Sequence, residues 1–584
     1  MNHDELESKT VAELKQQLKE ANLPVSGNKS ELIERLMDST TNQSEDEILE
    51  AEIISEVESI SKEGDFDFRE FISRPAWKAV NVGQVIAIGL VLLLVTSVLV
   101  LNPALLGRGT PDYELIDFDA QSTEKFASDL VALGHPTWGG RMSGTAEEAA
   151  GAQMILDNLS SFGYSTEMYS LPVPMFSINA EPTLRICQPG NTPFVPPCSP
   201  LDIGSSQEEF QHQTEYVIQG YSGSSNINFG DNIQITNLEN GSDEGLWQTA
   251  TGTVGIVTSD GSVDGNTGIY IKAAQNDLAG IIRINNNYNC GKIVLDDCIP
   301  IFKSIRVDEL KEANSGSMPT DIPFIAVSNN TGNRIIEMAE SNSVVQMQFD
   351  ITNDGDLEVK VPCGTLEGKT SEVVIVGAHH DTVYHSPGAV DDTSGTASVL
   401  EMARQIAMIA NRSEMPEYTL QFCTWGGEEE GLWGSRAWVA QNGPNLAENL
   451  RLYINLDMNH VDIDMADRGN SISMFTNNAE DLENIQNIHA KYSEERSEVA
   501  SKYSVSFSLL DGPREGPNAM PYNSDHGPFV YDLPNDKTGR AIVCYGSGSY
   551  EYHTYADDMT RFNAESLGVS VVVYGSYLNY LAWG

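Results

Sequence analysis

Five short stretches in the C-terminal part of the chain carry histidines and carboxylates, side chains that bind metal ions. They are EVVIVGAHHD at 372–381, GAVDDTSG at 388–395, WGGEEEGLWGS at 425–435, NLDM at 455–458 and YHTYADD at 552–558. Neutral imidazole combined with carboxylate is a ligand set that suits zinc. Two histidines, three carboxylates and one spare glutamate provide for a paired zinc site with its own base, and this combination predicts a hydrolase.

The elements that precede these stretches must bring them together. From residue 356 onward, apolar strand-like runs alternate with helix-like runs, which predicts an α/β domain with a mixed central sheet and helices on both faces. His379 ends one apolar run, Glu428 and Glu429 follow the next, Asp457 follows the third, and Asp391 lies in a turn. Strand ends of one sheet converge, so we expect one cleft there. Without a cation, so many carboxylates would repel each other.

Two further histidines, His380 and His385, lie close to His379 in the sequence. Adjacent residues on a strand point to opposite faces, so His379 and His380 cannot both face the cleft. We expect His379 to be the ligand, because Asp381 then shares its side of the strand. Asp381 can accept the second imidazole N–H of His379 and so fix its tautomer.

The five motifs together resemble those of the di-zinc exopeptidases of the aminopeptidase Y and bacterial leucyl aminopeptidase type, which are related to glutamate carboxypeptidase. The resemblance covers nearly all of the chain after residue 115. It implies two zinc ions per chain, with Asp391 bridging both. His379 and Asp457 would complete one zinc site, and Glu429 and His553 the other.

The same resemblance implies a reaction. Glu428 is the base that binds no metal; it takes a proton from the water shared by the two zinc ions and later gives it to the departing amine. Asp381 is the second candidate catalytic residue and acts through His379. The implied substrate is a peptide outside the cytoplasm, which loses its N-terminal residue.

Two finer expectations concern the surroundings of the ligands. Asp557 would orient His553 as Asp381 orients His379. The resemblance also implies a cis peptide between Asp391 and Asp392.

Three alternatives remain open at this point. A carboxypeptidase or dipeptidase of the same family would need a cationic pocket for the substrate carboxylate, and the scarce arginines after residue 359 do not reveal one. A glutaminyl cyclase-like acyltransferase would use a single zinc ion. A non-catalytic receptor-like homologue would have lost metal ligands.

The rest of the chain divides into further segments. With 584 residues the chain is too long for one core. Residues 108–175 are expected to form the first segment of the catalytic domain and 356–584 its main part. Residues 176–355 have many short strands and Gly and Asn turns, and they resemble the protease-associated (PA) domain that is inserted in several exported peptidases.

Residues 79–107 contain no charged side chain. At 1.5 Å per residue the run can cross a hydrocarbon core of about 30 Å, so we expect a transmembrane helix. Arg69, Arg74 and Lys78 precede the run and only Arg108 follows it, which predicts a cell-membrane protein with a cytoplasmic N-terminus and an extracytoplasmic catalytic domain.

Residues 1–37 contain two short amphipathic patterns separated by LPVSGNK and resemble the SAP motif, a helix-extension-helix module. The resemblance implies nucleic-acid contact by residues 9–37, but acids outnumber bases seven to five in the first 37 residues, which favours protein docking. Residues 38–78 are expected to form an acidic linker. Acids outnumber bases 84 to 34 in the chain, giving a net charge of -50, which argues against a nucleic-acid partner for the bulk of the protein.

The seven cysteines fit an exported chain. Cys187 and Cys198 bracket one polar loop and Cys290 and Cys298 another, so two local disulfides are expected. Cys423 and Cys544 lie in apolar strand-like runs, where we expect each to be a free buried thiol.

Overall fold

The computed structural model describes residues 111–258, 265–462 and 469–584, together with Lys29 and two short strands, β1 (Pro75–Trp77) and β2 (Val80–Asn81). The chain forms two compact units, 1–110 and 111–584. In the first unit, β1 pairs with β2 in antiparallel orientation. Because Val80 and Asn81 are strand, the predicted span at 79–107 is not helical at these two positions.

The remainder of that span lies outside the described residues, as do the SAP-like module, apart from Lys29, and most of the acidic linker. Within the part of the chain that the structure describes, no helix has both the length and the apolar character needed to cross a bilayer.

The strands of the second unit are β3 Ser165–Pro174, β4 Ser177–Ile178, β5 Thr183–Gln188, β6 Ser206–Phe210, β7 Tyr216–Ile218, β8 Ser225–Ile227, β9 Ile235–Asn237, β10 Val254–Thr258, β11 Gly280–Ile284, β12 Phe324–Val327, β13 Val344–Phe349, β14 Ile351–Thr352, β15 Asp356–Leu366, β16 Val373–His379, β17 Thr419–Trp425, β18 Leu450–Leu456, β19 Ser471–Thr476, β20 Ser504–Leu509 and β21 Ala541–Tyr545.

Its helices are α1 Ala120–Val131, α2 Ala146–Phe162, α3 Glu244–Thr249, α4 Asn266–Gln275, α5 Val307–Ala313, α6 Asn329–Ala339, α7 Thr393–Ala410, α8 Trp433–Asn449, α9 Ala479–Glu495, α10 Ser497–Ala500, α11 His526–Tyr531 and α12 Ala564–Trp583. Two 3-10 turns cover Phe229–Asp231 and Met559–Arg561.

The central sheet has eight strands in the order β20-β19-β21-β18-β16-β17-β15-β3. Its middle strands β17, β16, β18 and β21 run parallel, whereas β15 is antiparallel to both β17 and β3. On the other side, β19 is antiparallel to β21. The predicted α/β class with a mixed central sheet is confirmed.

Both faces of this sheet are buried, as the apolar sequence of β16 predicts. Val374 and Val376 pack into a core with α7, α9 and α12, while Val373 and Ile375 pack with α8 and α11 on the opposite face. Successive side chains of a strand alternate between faces, so an all-apolar strand requires helices on both sides.

Residues 176–355 form separate sheets. One has five strands in the order β7-β12-β11-β10-β9, the other four in the order β6-β5-β13-β8. β4 pairs with β14 and so joins the two ends of this segment. We call residues 176–355 the insert; its assignment to the PA domain stays a prediction.

Three disulfides occur in the described part of the chain. Cys187–Cys198 and Cys290–Cys298 are the two that the sequence predicts. The third joins Cys363 to Cys423, so the expectation that Cys423 is a free thiol is wrong. These two residues lie opposite each other on the antiparallel neighbours β15 and β17. Cys544 is free and buried, as expected.

Candidate metal centre

The predicted ligands meet at the carboxyl ends of the parallel strands. His379 is the last residue of β16, Asp457 directly follows β18, Glu429 follows β17, and His553 lies in the loop after β21. Asp391 precedes α7, whose first turn is capped by the Asp392 side chain accepting the Gly395 N–H at 2.9 Å. All five ligands and Glu428 line one cleft of about 370 Å³.

Within the cleft the side chains form two clusters, each with donor atoms within 4.8 Å of one another. One contains His379, Glu428 and Asp457, and the other contains Asp391, Glu429 and His553. The second cluster contains Asp391, the predicted bridging ligand, and also Glu429 and His553, the two ligands predicted for one zinc site. The first unites the ligands of the other site with the predicted base.

Asp391 lies between the two histidines. Its Oδ1 is 3.4 Å from His379 Nε2, and its Oδ2 is 3.0 Å from His553 Nε2. Each carboxylate oxygen therefore faces one cluster, which is the arrangement that a bridging ligand needs. The peptide between Asp391 and Asp392 is cis, as expected.

Glu428 and Glu429 take different positions although they are adjacent. Glu429 Oε2 is 2.7 Å from His553 Nε2, whereas Glu428 Oε2 is 3.8 Å from His379 Nε2. Glu428 therefore lies on the side of the His379 cluster, facing the cleft.

Asp381 lies behind His379, where the sequence predicts it. Its Oδ1 is 3.4 Å from His379 Nδ1, and its backbone oxygen is 3.2 Å from the same nitrogen. Asp381 also accepts the backbone N–H groups of Glu428 and Glu429, at 3.4 and 3.3 Å. This one carboxylate thus orients an imidazole and holds the loop that carries both glutamates.

The expectation for Asp557 is wrong. Its two oxygens accept the backbone N–H groups of Val390 and Asp391, at 2.9 and 3.0 Å. His553 Nδ1 instead donates to the carbonyl oxygen of Phe302, in the insert, at 2.9 Å. Asp557 therefore positions the Asp391 backbone and does not contact the His553 ring.

The two other histidines lie outside the clusters. His380 points to the opposite side of β16, where its Nε2 is 3.1 Å from Glu148 Oε1. His385 is buried, and neither of its ring nitrogens has a hydrogen-bond partner among the described residues.

Two residues before α2 support the site and were missed by the sequence reasoning. Ser143 Oγ donates to Asp381 Oδ2 at 2.9 Å. The buried Arg141 donates to the carbonyl oxygens of His380 and Pro387, at 3.2 and 2.9 Å. The string GRMSG at 140–144, the source of both, stands out as polar and glycine-rich before a helix, but it has no metal-binding side chain.

The charges of the cluster fit a cation. Burial raises the pKa of Glu428 well above its usual range, and it raises that of Asp457 to about 6. Burial acts in the same direction on Asp391, but hydrogen bonds with His379 and His553 outweigh it and lower the pKa of that carboxyl. Glu429 Oε1 is buried without a hydrogen-bond partner among the described groups. Imidazole and carboxylate donors, one of them unsatisfied, suit zinc.

Comparisons with known proteins agree with this chemistry. The sequence pattern of Peptidase family M28 matches residues 363–574, and that of the SAP domain matches 5–40. An aminopeptidase of Pseudomonas aeruginosa is 39% identical over 114 residues, which are 20% of this chain and 20% of that protein. A probable glutamate carboxypeptidase of Arabidopsis thaliana is 32% identical over 117 residues, 19% of this chain and 16% of that protein. The aligned segments thus span a fifth or less of these two relatives.

Among solved structures, a zinc aminopeptidase of Bacillus subtilis superposes with a TM-score of 0.54 at 18% identity, covering 80% of this chain and 96% of that one. This likeness shows a shared fold. Residues 363–574, which match the pattern of Peptidase family M28, contain all five predicted metal ligands and the predicted base.

Proposed function

We propose that the protein is a zinc exopeptidase, and specifically an aminopeptidase that removes N-terminal residues from peptides. The observation that carries the proposal is the convergence of two histidines and four carboxylates in one cleft, with Asp391 placed between the two histidines. Three of these carboxylates are buried and Glu428 is partly buried, so to stay ionised this close together they need compensating positive charge, which bound zinc would supply.

The two clusters would supply the ligands of two zinc ions. His379 and Asp457 would hold one ion, Glu429 and His553 the other, and Asp391 would contact both. Zinc ions bound there supply Lewis acidity toward the scissile carbonyl and acidify a water. The protein adds orientation, because Asp381 and the Phe302 carbonyl oxygen each contact the second nitrogen of one ligand histidine.

Glu428 carries the proton. It is adjacent to Glu429 in the chain but lies apart from it, 3.8 Å from His379 Nε2 and facing the cleft. In that position its carboxylate can accept a proton from the attacking water and return it to the nitrogen of the departing amine. Peptide hydrolysis is then balanced, because the water oxygen joins the carbonyl carbon and both protons leave with the products.

The preference for an N-terminal residue is supported by two observations. The relative from Pseudomonas aeruginosa is an aminopeptidase, and the Bacillus subtilis structure is that of a zinc aminopeptidase. The cleft is also rich in carboxylates, which attract the ammonium group of a free peptide N-terminus.

We also propose a location and a role for the N-terminal part. Residues 79–107 would anchor the protein in the cell membrane, with 108–584 on the extracytoplasmic side, because the run is uncharged and bases precede it. The three disulfides in the catalytic unit support an oxidising compartment. The SAP match at 5–40 supports nucleic-acid or protein contact by that segment.

The test is a substrate panel with the full-length protein. Aminoacyl anilides, N-acetylated aminoacyl anilides and N-blocked peptides with a free carboxyl terminus are each assayed with zinc, and again after treatment with a chelator. We expect cleavage of the unblocked aminoacyl anilides alone. The chelator should abolish this cleavage, and added zinc should restore it.

Other outcomes are equally informative. Cleavage confined to N-blocked peptides would overturn the aminopeptidase assignment in favour of a carboxypeptidase. Cyclisation of N-terminal glutamine without hydrolysis would indicate an acyltransferase. No turnover of any substrate at full zinc occupancy would refute the enzymatic function.

A further inference from the structure

A second cavity, of about 200 Å³, adjoins the metal centre. Its lining includes Tyr288 and Tyr552, and both of these residues also line the metal cleft. The ring of Tyr552 stacks on His553, with 3.7 Å between ring centroids. Tyr552 therefore lines this cavity and also contacts a proposed metal ligand.

Lys303 provides the positive charge of this cavity. Its Nζ donates to Tyr552 Oη at 2.9 Å and lies 4.2 Å from the centroid of the same ring. Lys303 directly follows Phe302 in the chain. The carbonyl oxygen of Phe302 accepts a hydrogen bond from His553, so the backbone at Lys303 is fixed to the proposed metal centre.

The insert also holds Lys303 from the other side. The Lys303 N–H donates to Gln219 Oε1 at 3.0 Å, and its carbonyl oxygen accepts the Gly220 N–H at 3.1 Å. The ammonium group therefore projects from a constrained backbone, which lowers the entropy cost of binding an anion.

Arg283 adds a second cation to the same cavity, together with the amide side chains of Asn285 and Asn287. Arg283 is next to the last residue of β11 and lies opposite Ala326 of β12, which also lines the cavity. The described lining residues thus include two bases, two amides and two tyrosines, but no carboxylate.

The lining of this cavity is basic, whereas its surroundings are acidic. The chain has 84 acids and 34 bases, and the adjoining metal cleft is lined by Asp391, Glu428, Glu429 and Asp457. A cationic cavity next to an acidic cleft creates a sharp difference in potential over a short distance. A substrate that carries both an ammonium and a carboxylate group would be oriented by that difference.

We propose that Lys303, with Arg283 and Tyr552, forms a subsite that binds a carboxylate of the peptide substrate. The inference rests on the proposed peptidase function and adds a substrate class to it. Two sources supply the same chemistry, namely the side chain of an N-terminal Asp or Glu, or the terminal carboxylate of a dipeptide. The anionic partner contacts the Lys303 ammonium and the Tyr552 hydroxyl.

The experiment compares kcat/KM for matched substrates in the full-length zinc-loaded protein. Glutamyl and glutaminyl anilides differ in the side-chain carboxylate alone, and a dipeptide and its C-terminal amide differ in the terminal carboxylate alone. In at least one of these pairs, we expect kcat/KM to be higher for the substrate that carries the carboxylate. In Lys303→Met, that preference should fall about 10- to 100-fold, the effect of one charged hydrogen bond.

Charge reversal and a matched control sharpen the test. Lys303→Glu should invert the preference, so that the uncharged member of the pair becomes the better substrate. Lys311→Met is the control, because Lys311 lies in the same insert, forms an ion pair with Asp354 at 3.2 Å and does not line the cavity. It should retain the wild-type ratio.

The outcomes separate the subsite from the peptidase function. Equal kcat/KM within both pairs in the wild type, or a preference that survives in Lys303→Met, would overturn the subsite even though a leucyl anilide is cleaved. Absence of all cleavage would refute the peptidase function instead. In that case calorimetric titration with L-glutamate and L-glutamine still tests the subsite, which predicts tighter glutamate binding by the wild type than by Lys303→Met.

Discussion

His553 and Phe302 are joined by two hydrogen bonds. The ring nitrogen Nδ1 of His553 donates to the Phe302 carbonyl oxygen at 2.9 Å, and the Phe302 N–H donates to the His553 carbonyl oxygen at 3.2 Å. A carbonyl oxygen can only accept, so Nδ1 carries a proton, and Nε2, which faces Asp391 and Glu429, is the nitrogen that can bind a metal ion once it is deprotonated. The insert thereby selects the tautomer of a proposed metal ligand in the catalytic domain.

Zinc content tests this centre directly. We expect close to two zinc ions per chain in the dialysed wild type and close to one in His553→Ala, because the His379 cluster keeps its own ligands. Elemental analysis by mass spectrometry provides the measurement. His489→Ala, on helix α9 and outside both clusters, should keep both ions. A wild-type value near one would contradict the paired site.

Replacing Glu428 by Gln should lower kcat by about 100- to 10,000-fold, the contribution usual for a positioned acid–base group. The change keeps the size of the side chain but removes its ability to accept and return a proton. Zinc content should stay at the wild-type level. The exposed Glu372→Gln, just before β16, is the matched control with unchanged kcat. Loss of one zinc ion from Glu428→Gln would show that Glu428 is a ligand and that the base lies elsewhere.

The disulfide between Cys363 and Cys423 closes a loop with a sequence separation of 60. Replacing both residues by Ala should lower the free energy of unfolding by about 2–5 kcal/mol, measured by urea denaturation. In the unreduced and unfolded wild type, thiol titration should find one free thiol, that of Cys544. The variant Cys544→Ala should keep the three disulfides and show no free thiol. Three free thiols in the wild type would disprove the Cys363–Cys423 bridge.

The buried His460 predicts a loss of stability in acid. Burial lowers the pKa of its imidazole to about 4, and its Nε2 accepts the Asn563 N–H at 2.7 Å, which requires the neutral ring. The unfolded chain therefore binds a proton near pH 6.5 that the folded chain binds only near pH 4. The stabilisation is complete above pH 6.5 and declines by roughly 3 kcal/mol as the pH falls to 4.

Urea denaturation between pH 7 and pH 4.5 measures this effect. In the wild type the free energy of unfolding should fall with decreasing pH, and in His460→Gln the slope should be smaller by up to about 1.4 kcal/mol per pH unit. Helix α9 offers a control in His489→Gln, because His489 is only half-buried and a weaker change is expected. Identical slopes in wild type and His460→Gln would contradict the assignment.

The convergence of the candidate ligands in one cleft could be predicted from a rule about sheets. His379, Glu429 and Asp457 each follow an apolar run, and parallel strands bring their carboxyl ends to one edge. The opposite orientations of His379 and His380 followed from the same alternation. These inferences need only the local periodicity of the chain and the side-chain types at the ends of its strands.

What escaped sequence reasoning depends on contacts between distant segments. The partner of His553 is a backbone oxygen 251 positions away, and any residue type could supply it, so Asp557 was the more visible candidate. The Cys363–Cys423 bridge required knowledge that β15 pairs with β17 and not with its sequence neighbour β16. The arginines after residue 359 could not predict the cationic cavity, because Lys303 and Arg283 both lie in the insert.

The hydrogen bond between Tyr288 Oη and the Ser549 carbonyl oxygen, at 2.7 Å, reinforces the attachment of the insert to the loop that carries His553. The insert is therefore hydrogen-bonded to the proposed metal centre. A chimaera that received residues 176–355 from a relative would be expected to change its metal affinity and its substrate choice together, so neither property can be engineered through this segment in isolation.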